Sequence, residues 1–214
     1  MPKAPKKTKT TTRTDPGELV EISTVAGELQ IAVSMGVSLR ERRLFLVGDV
    51  DEELFKAFIT AFSVMDTFEA PIYITFHSNG GSMEIGMAIY DAIRTARNHV
   101  TMDVAGAASS IGALILQAAD TRRMMPESRI MIHQGKLFIS GENQFQAHEM
   151  LEHAEDLKEN NERYYNVLAN SSKGKMSHSD VVKACKKDTY YDAQQAIDLG
   201  LVDEIVPYTK KKKN

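Results

Sequence analysis

Apolar runs with the length of buried strands alternate with patterns of helical period along most of this 214-residue chain. "RRLFLVGDV" reads as a strand ending at a turn. A helix follows, with Asp51 as its N-cap and Leu54, Phe55, Phe58, Ile59 and Phe62 on one face. "APIYITFHSNGGS" is a strand entering a Gly-Gly turn, and Met83, Met87, Ile89, Tyr90 and Ile93 then recur at helical spacing. "HVTMDVAG" and "SRIMIHQG" are two further strands, the second ending at His133. "ELQIAVSM", near the start, alternates like a strand as well. This order of elements predicts an α/β fold.

The second half reads differently. "QFQAHEMLEHAEDLKENNERYYNVLANSS" carries Ala147, Leu151, Ala154, Leu157, Tyr164 and Leu168 in steps of three and four, which predicts one helix of roughly seven turns. Charges occupy most of its surface, so it should protrude from so small a domain unless a partner subunit covers its stripe. Two short helices, "HSDVVKACK" and "DAQQAIDL", follow, the latter stopped by Gly200, and "VDEIV" reads as a last strand.

Charge separates the ends from the body. Residues 1–14 carry five positive charges and residues 208–214 four, so the body between them holds −12 against −3 for the whole chain. We read residues 1–17 as a flexible basic tail, residues 18–207 as the folded domain and residues 208–214 as a second basic tail. An acidic body argues against a nucleic-acid surface. The longest apolar run, around residues 104–119, is too short and too interrupted by serines to span a membrane. No secretory h-region precedes the domain, and the single cysteine, Cys185, points to a reducing compartment, hence the cytoplasm. Nothing in the pattern calls for a metal.

The stretch "VAGAASSIGALIL" places Ser109 and Ser110 side by side among small residues. They serve either packing, since small residues let a helix approach its neighbour, or chemistry, with one serine at a strand-to-helix turn. A serine nucleophile needs a base, a group that orients the base, and donors for an oxyanion. Of six histidines, His148 and His153 lie on the polar side of the long helix, His178 near a helix start and His99 in a surface turn. His77 and His133 end buried strands, where α/β proteins carry function, although a lone histidine there is commonly structural.

Taken together and in order, "SNGGS", "GAASSIG", "RIMIHQ" and "KDTYYDAQQAIDLGLVDEI" resemble the proteolytic subunit of the Clp protease, the ClpP family, from about Arg43 to Val206. The resemblance implies a ClpP/crotonase-like repeated β-β-α spiral core with a protruding handle at about residues 135–170. It implies Ser110 as nucleophile, with Ser109 in place of the family's alanine, His133 as base, and Asp188 as the group that orients it. Asp192 replaces the family's helix-capping serine. The oxyanion donors would be the N–H groups of Gly81 and Ile111, and Gly80, Ser82 and Gly135 would line the substrate, an extended polypeptide added as a strand.

The same resemblance implies two stacked seven-subunit rings enclosing the active sites, joined through the handle. No cofactor is implied. The chain lacks a G-x-x-x-x-G-K-[ST] box, so ATP would be used by a partner unfoldase of the AAA+ type. Some positions depart from the pattern. Asn79 replaces a proline in the Gly-Gly turn. Thr75, Asp103 and Ala105 stand where the family shows the apolar pocket that receives the unfoldase. These departures raise the alternative of a virus-encoded capsid or scaffold maturation protease working without an unfoldase. Two further readings are an inactive structural ring subunit and a crotonase-like acyl-CoA enzyme, which needs no Ser-His-Asp set.

Overall fold

The computed structural model describes residues 36–136 and 146–208. The strand expected at "ELQIAVSM", the N-terminal tail, residues 209–214 and most of "GKLFIS" lie outside the described residues. In chain order the elements are β1 (Val37–Ser38), β2 (Arg43–Val47), α1 (Glu52–Met65), β3 (Ile72–Ser78), α2 (Met83–Arg94), β4 (Val100–Ser109) and α3 (Ile111–Leu116). They continue as β5 (Thr121–Met124), β6 (Arg129–Ile132), α4 (Ala147–Ser171), α5 (His178–Cys185), β7 (Thr189–Tyr191), α6 (Ala193–Asp198) and β8 (Glu204–Ile205). The fold is mixed α/β, as the alternation predicts.

The strands form one sheet in the order β1-β2-β3-β4-β5-β8, and β6 pairs with β4 and β7. Pairing is parallel from β2 through β4 and on to β5, β6 and β8. β3 and β4 carry buried Ile72, Ile74 and Phe76, and Val100, Met102 and Val104, at alternate positions, which is why they were legible. Three strands were not. β1, "VS", β5, "TRRM", and β7, "TYY", are short, and the last two carry polar or aromatic residues that a turn would also accept.

β4 divides the sheet. Its first half, Thr101–Val104, pairs with β5, and its last residues, Ala107–Ser109, pair with β6. The kink between the two halves is Gly106, at φ +97°. The β3–β4 register shifts there, and the His77 ring fills the gap with Nδ1 2.9 Å from the Ala105 carbonyl oxygen and 3.1 Å from the Ala107 nitrogen. His77 is thus a structural filler of the irregularity.

Helix starts are encoded locally. The Asp51 carboxylate accepts from the Leu54 N–H at 2.8 Å, Ser177 accepts from the Asp180 N–H, and Asp192 accepts from the Gln195 N–H at 2.8 Å. α1 buries Phe58, Phe62 and Met65 on the sheet, each worth about 1.5–3 kcal/mol on burial. α2 buries Met87, Ile89 and Ile93, and α3 is buried along its whole length.

α4 is a single 25-residue helix whose N-cap is Gln146. Its two halves differ. Met150 and Leu151 are 42% and 66% exposed, whereas Tyr164, Tyr165 and Leu168 are buried in the core. The helix is therefore anchored by its C-terminal half and projects by its N-terminal half. Among the described residues no helix is long and apolar enough to cross a membrane.

Candidate active site

The two serines have separate fates. Ser109 is the last residue of β4 and 8% exposed, and Ser110 lies between β4 and α3 at φ +55°, ψ −126°. The helix starts at Ile111, and a strand-to-turn change in direction separates the two side chains. A non-glycine residue in this backbone region is strained, and such strain persists only where the surroundings over-determine it. Here they do. The Ser110 N–H donates to the Met131 carbonyl at 2.8 Å, and its own carbonyl accepts from the Ala113 N–H at 2.9 Å and from the Tyr164 hydroxyl at 3.1 Å.

His133 follows β6 immediately. Because β6 pairs in parallel with the end of β4, Ser109 opposite Met131, the residues leaving the two strands emerge together. The Ser110 Oγ lies 2.9 Å from His133 Nε2. His133 Nδ1 lies 3.0 Å from Asp188 Oδ1, on the turn between α5 and β7. β7 pairs antiparallel with β6, Ile132 opposite Thr189, which fixes where that turn can lie. The hydrogen bond with His133 above all, and next the nearby Lys136 ammonium, hold the Asp188 carboxyl below its ordinary range. Lys136 Nζ is 3.6 Å from the same oxygen.

The Gly80–Gly81 turn closes the site from the other side. A Cβ on Gly80, at φ +108°, would meet the Ser110 Cβ at 2.8 Å, so only glycine lets this backbone lie against Ser110. Val50 forms a parallel bridge to Gly81 that uses the Gly80 carbonyl and the Ser82 N–H, both at 2.8 Å. Gly81's own N–H therefore faces away from Val50. The Ile111 N–H, first of α3, is one of those a helix leaves without an internal acceptor. Gly80 packs against Ser110, and Ile111 follows Ser110 directly in the chain.

The other substrate-lining candidates are in use by the fold. Ser82 caps α2 by accepting from the Ile85 N–H at 3.3 Å. The Gly135 N–H donates to Asn161 Oδ1 at 2.6 Å. Asn161 and Tyr164 were not singled out from the sequence. Asn161 reads there as a solvated position and Tyr164 as one member of an apolar stripe, and their partners lie 26 and 54 residues away.

On the opposite face, Asp103 is 6% exposed and fully engaged. Arg43 reaches Asp103 at 3.0 Å and Thr75 at 2.9 Å, and Arg123 clasps both Asp103 oxygens at 2.6 and 3.0 Å. Arg43 also lies 5.4 Å over the Tyr73 ring.

A strained serine, a histidine and an aspartate in one hydrogen-bond chain are features of the serine hydrolases. The chain belongs to the Clp protease family, whose profile matches residues 26–209. It is 31% identical over 172 residues to the ATP-dependent Clp protease proteolytic subunit 3 of Parasynechococcus marenigrum (strain WH8102), covering 78% of this chain and 84% of that one. It is 32% identical over 179 residues to the ATP-dependent Clp protease proteolytic subunit of Chlorella vulgaris, covering 82% and 86%.

Proposed function

We propose that this protein is a serine endopeptidase acting on unfolded polypeptides. Ser110 attacks the peptide carbonyl while His133 takes its proton and returns it to the leaving amine. Asp188 holds the imidazole tautomer and stabilises the imidazolium. The N–H groups of Gly81 and Ile111 receive the oxyanion. The observation that carries this reading is the continuous chain from Ser110 to His133 to Asp188, with links of 2.9 and 3.0 Å.

The reading extends to assembly. The relatives are named as subunits of an ATP-dependent protease. The uncovered N-terminal half of α4, with Met150 and Leu151 exposed, suits a handle between stacked rings of this chain. ATP hydrolysis would reside in a separate unfoldase, and the assembly would work in the cytoplasm or an equivalent reducing compartment. Neither a cofactor nor a metal enters the mechanism.

The Arg43–Thr75–Asp103–Arg123 network favours a second reading of the partner. An ion-paired patch at the positions where the resemblance places an apolar docking pocket supports a maturation protease that acts without an unfoldase. Stoichiometric, nucleotide-dependent capture of a cognate unfoldase would exclude that variant.

Intact-mass labelling with a fluorophosphonate tests the central reading. One adduct per chain is expected, retained in Ser109→Ala and lost in Ser110→Ala. An assembled wild-type particle that takes up no adduct would overturn the assignment of Ser110.

A further inference from the structure

Asn161 and Tyr164 stand three residues apart on α4 and so share one face of the helix. Each reaches a different side of the candidate site. Asn161 Oδ1 accepts from the Gly135 N–H at 2.6 Å, two residues beyond His133. The Tyr164 hydroxyl donates to the Ser110 carbonyl at 3.1 Å. The contacts fall where α4 passes from its exposed to its buried half, and Tyr164 itself is 1% exposed.

We infer that Asn161 and Tyr164 are positioning residues that set the approach of His133 to Ser110, one turn of α4 gripping both segments. The inference rests on the catalytic reading of Ser110 and His133 given above. Its physical basis is that neither grip is needed elsewhere. The Ser110 carbonyl already has the Ala113 N–H at 2.9 Å, so the Tyr164 bond is a second one that restrains a strained turn. Gly135 lies beyond the ladder of β6, and there the Asn161 bond adds to the hold on the preceding residue, Gln134, through its bond to the Cys185 carbonyl at 2.8 Å. Burial pushes the Tyr164 phenol well above its ordinary range, so it remains a donor.

The full-length protein in its native assembly is the material for the test, with a fluorogenic peptide and a fluorophosphonate as probes. Asn161→Leu removes the acceptor, Asn161→Asp keeps an oxygen in its place, and Tyr164→Phe removes the hydroxyl alone. Asn161→Leu and Tyr164→Phe are expected to lower kcat and the Ser110 labelling rate by roughly tenfold to a hundredfold, the scale of a small misplacement of reacting groups. KM should stay within about twofold, and Asn161→Asp should recover most of kcat. Wild-type rates in Asn161→Leu, a loss confined to KM, or an equal loss in Asn161→Asp would overturn the inference. A wild type that labels at Ser110 while both variants behave as it does refutes the clamp alone. A wild type that does not label refutes the catalytic reading, and the clamp with it.

Discussion

Ser109 faces Met131 across the β4–β6 ladder, and this single register brings the hydroxyl of Ser110 to 2.9 Å from His133 Nε2. Both side chains sit one or two residues past a paired position, so their spacing is inherited from backbone hydrogen bonds. A slip of one residue would turn every side chain of β6 to the other face.

Asp188 interacts with His133 from an exposed turn, and its carboxyl is held below the ordinary carboxylate value by that hydrogen bond first. A depressed value means the charged form persists above the unfolded value of 3.8 and is lost only as pH falls through the lower folded one. Titration of Asp188 should therefore contribute no limb to kcat/KM between about pH 5 and 8. Asp188→Asn should lower kcat by about 10⁴-fold across that range, measured with a fluorogenic peptide.

Gly80→Ala places a methyl group 2.8 Å from the Ser110 Cβ and 3.1 Å from the Ser109 carbonyl oxygen, at a φ of +108°. The turn must move away from Ser110. Peptidase activity should fall by about a hundredfold, and stability by about 1–3 kcal/mol, read from denaturant midpoints.

Arg122, 4% exposed, binds Asp203 through Nε and Nη2 at 3.0 and 2.7 Å, and Lys173 reaches the same carboxylate at 2.7 Å. Burial works against the Asp203 charge, but these hydrogen bonds outweigh it and push the carboxyl far below its usual range. Its stabilising effect is thus present above 3.8 and lost only as pH falls through a much lower value. Asp203→Asn should cost about 3 kcal/mol at neutral pH, the low end for breaking a buried pair. The deficit in Tm should persist at about pH 3, whereas an ordinary carboxylate would by then have lost much of its contribution.

Cys185 is fully buried, and that burial pushes its thiol up to about 12. A thiol reagent should react with the native protein only through opening of the α5 region. Labelling in native buffer is expected to be orders of magnitude slower than in denaturant, and comparable rates would contradict the placement of α5.

The strands and helices with strong periodicity were readable one by one, because burial on one or both faces imprints a local pattern. α1, α2 and most of α4 fall where Phe58, Ile89 and Leu168 recur at helical steps. β5 and β7 were not, because their place in the sheet comes from neighbours. Arg122 and Arg123 turn their charges to Asp203 and Asp103, partners with no trace in a window around residue 122.

The sequence by itself determined the alternation of strands and helices, the capping of helices by Asp51, Ser177 and Asp192, and the chemical identity of Ser110, His133 and Asp188. These are properties of residue type and short spacing. Only the tertiary structure decided that β4 splits to pair with β6, that Ser110 occupies a strained turn, and that Asn161 and Tyr164 bond to Gly135 and Ser110. Those relations join residues 22 to 54 positions apart, and nothing local distinguishes a serine that will meet a histidine from one that will not.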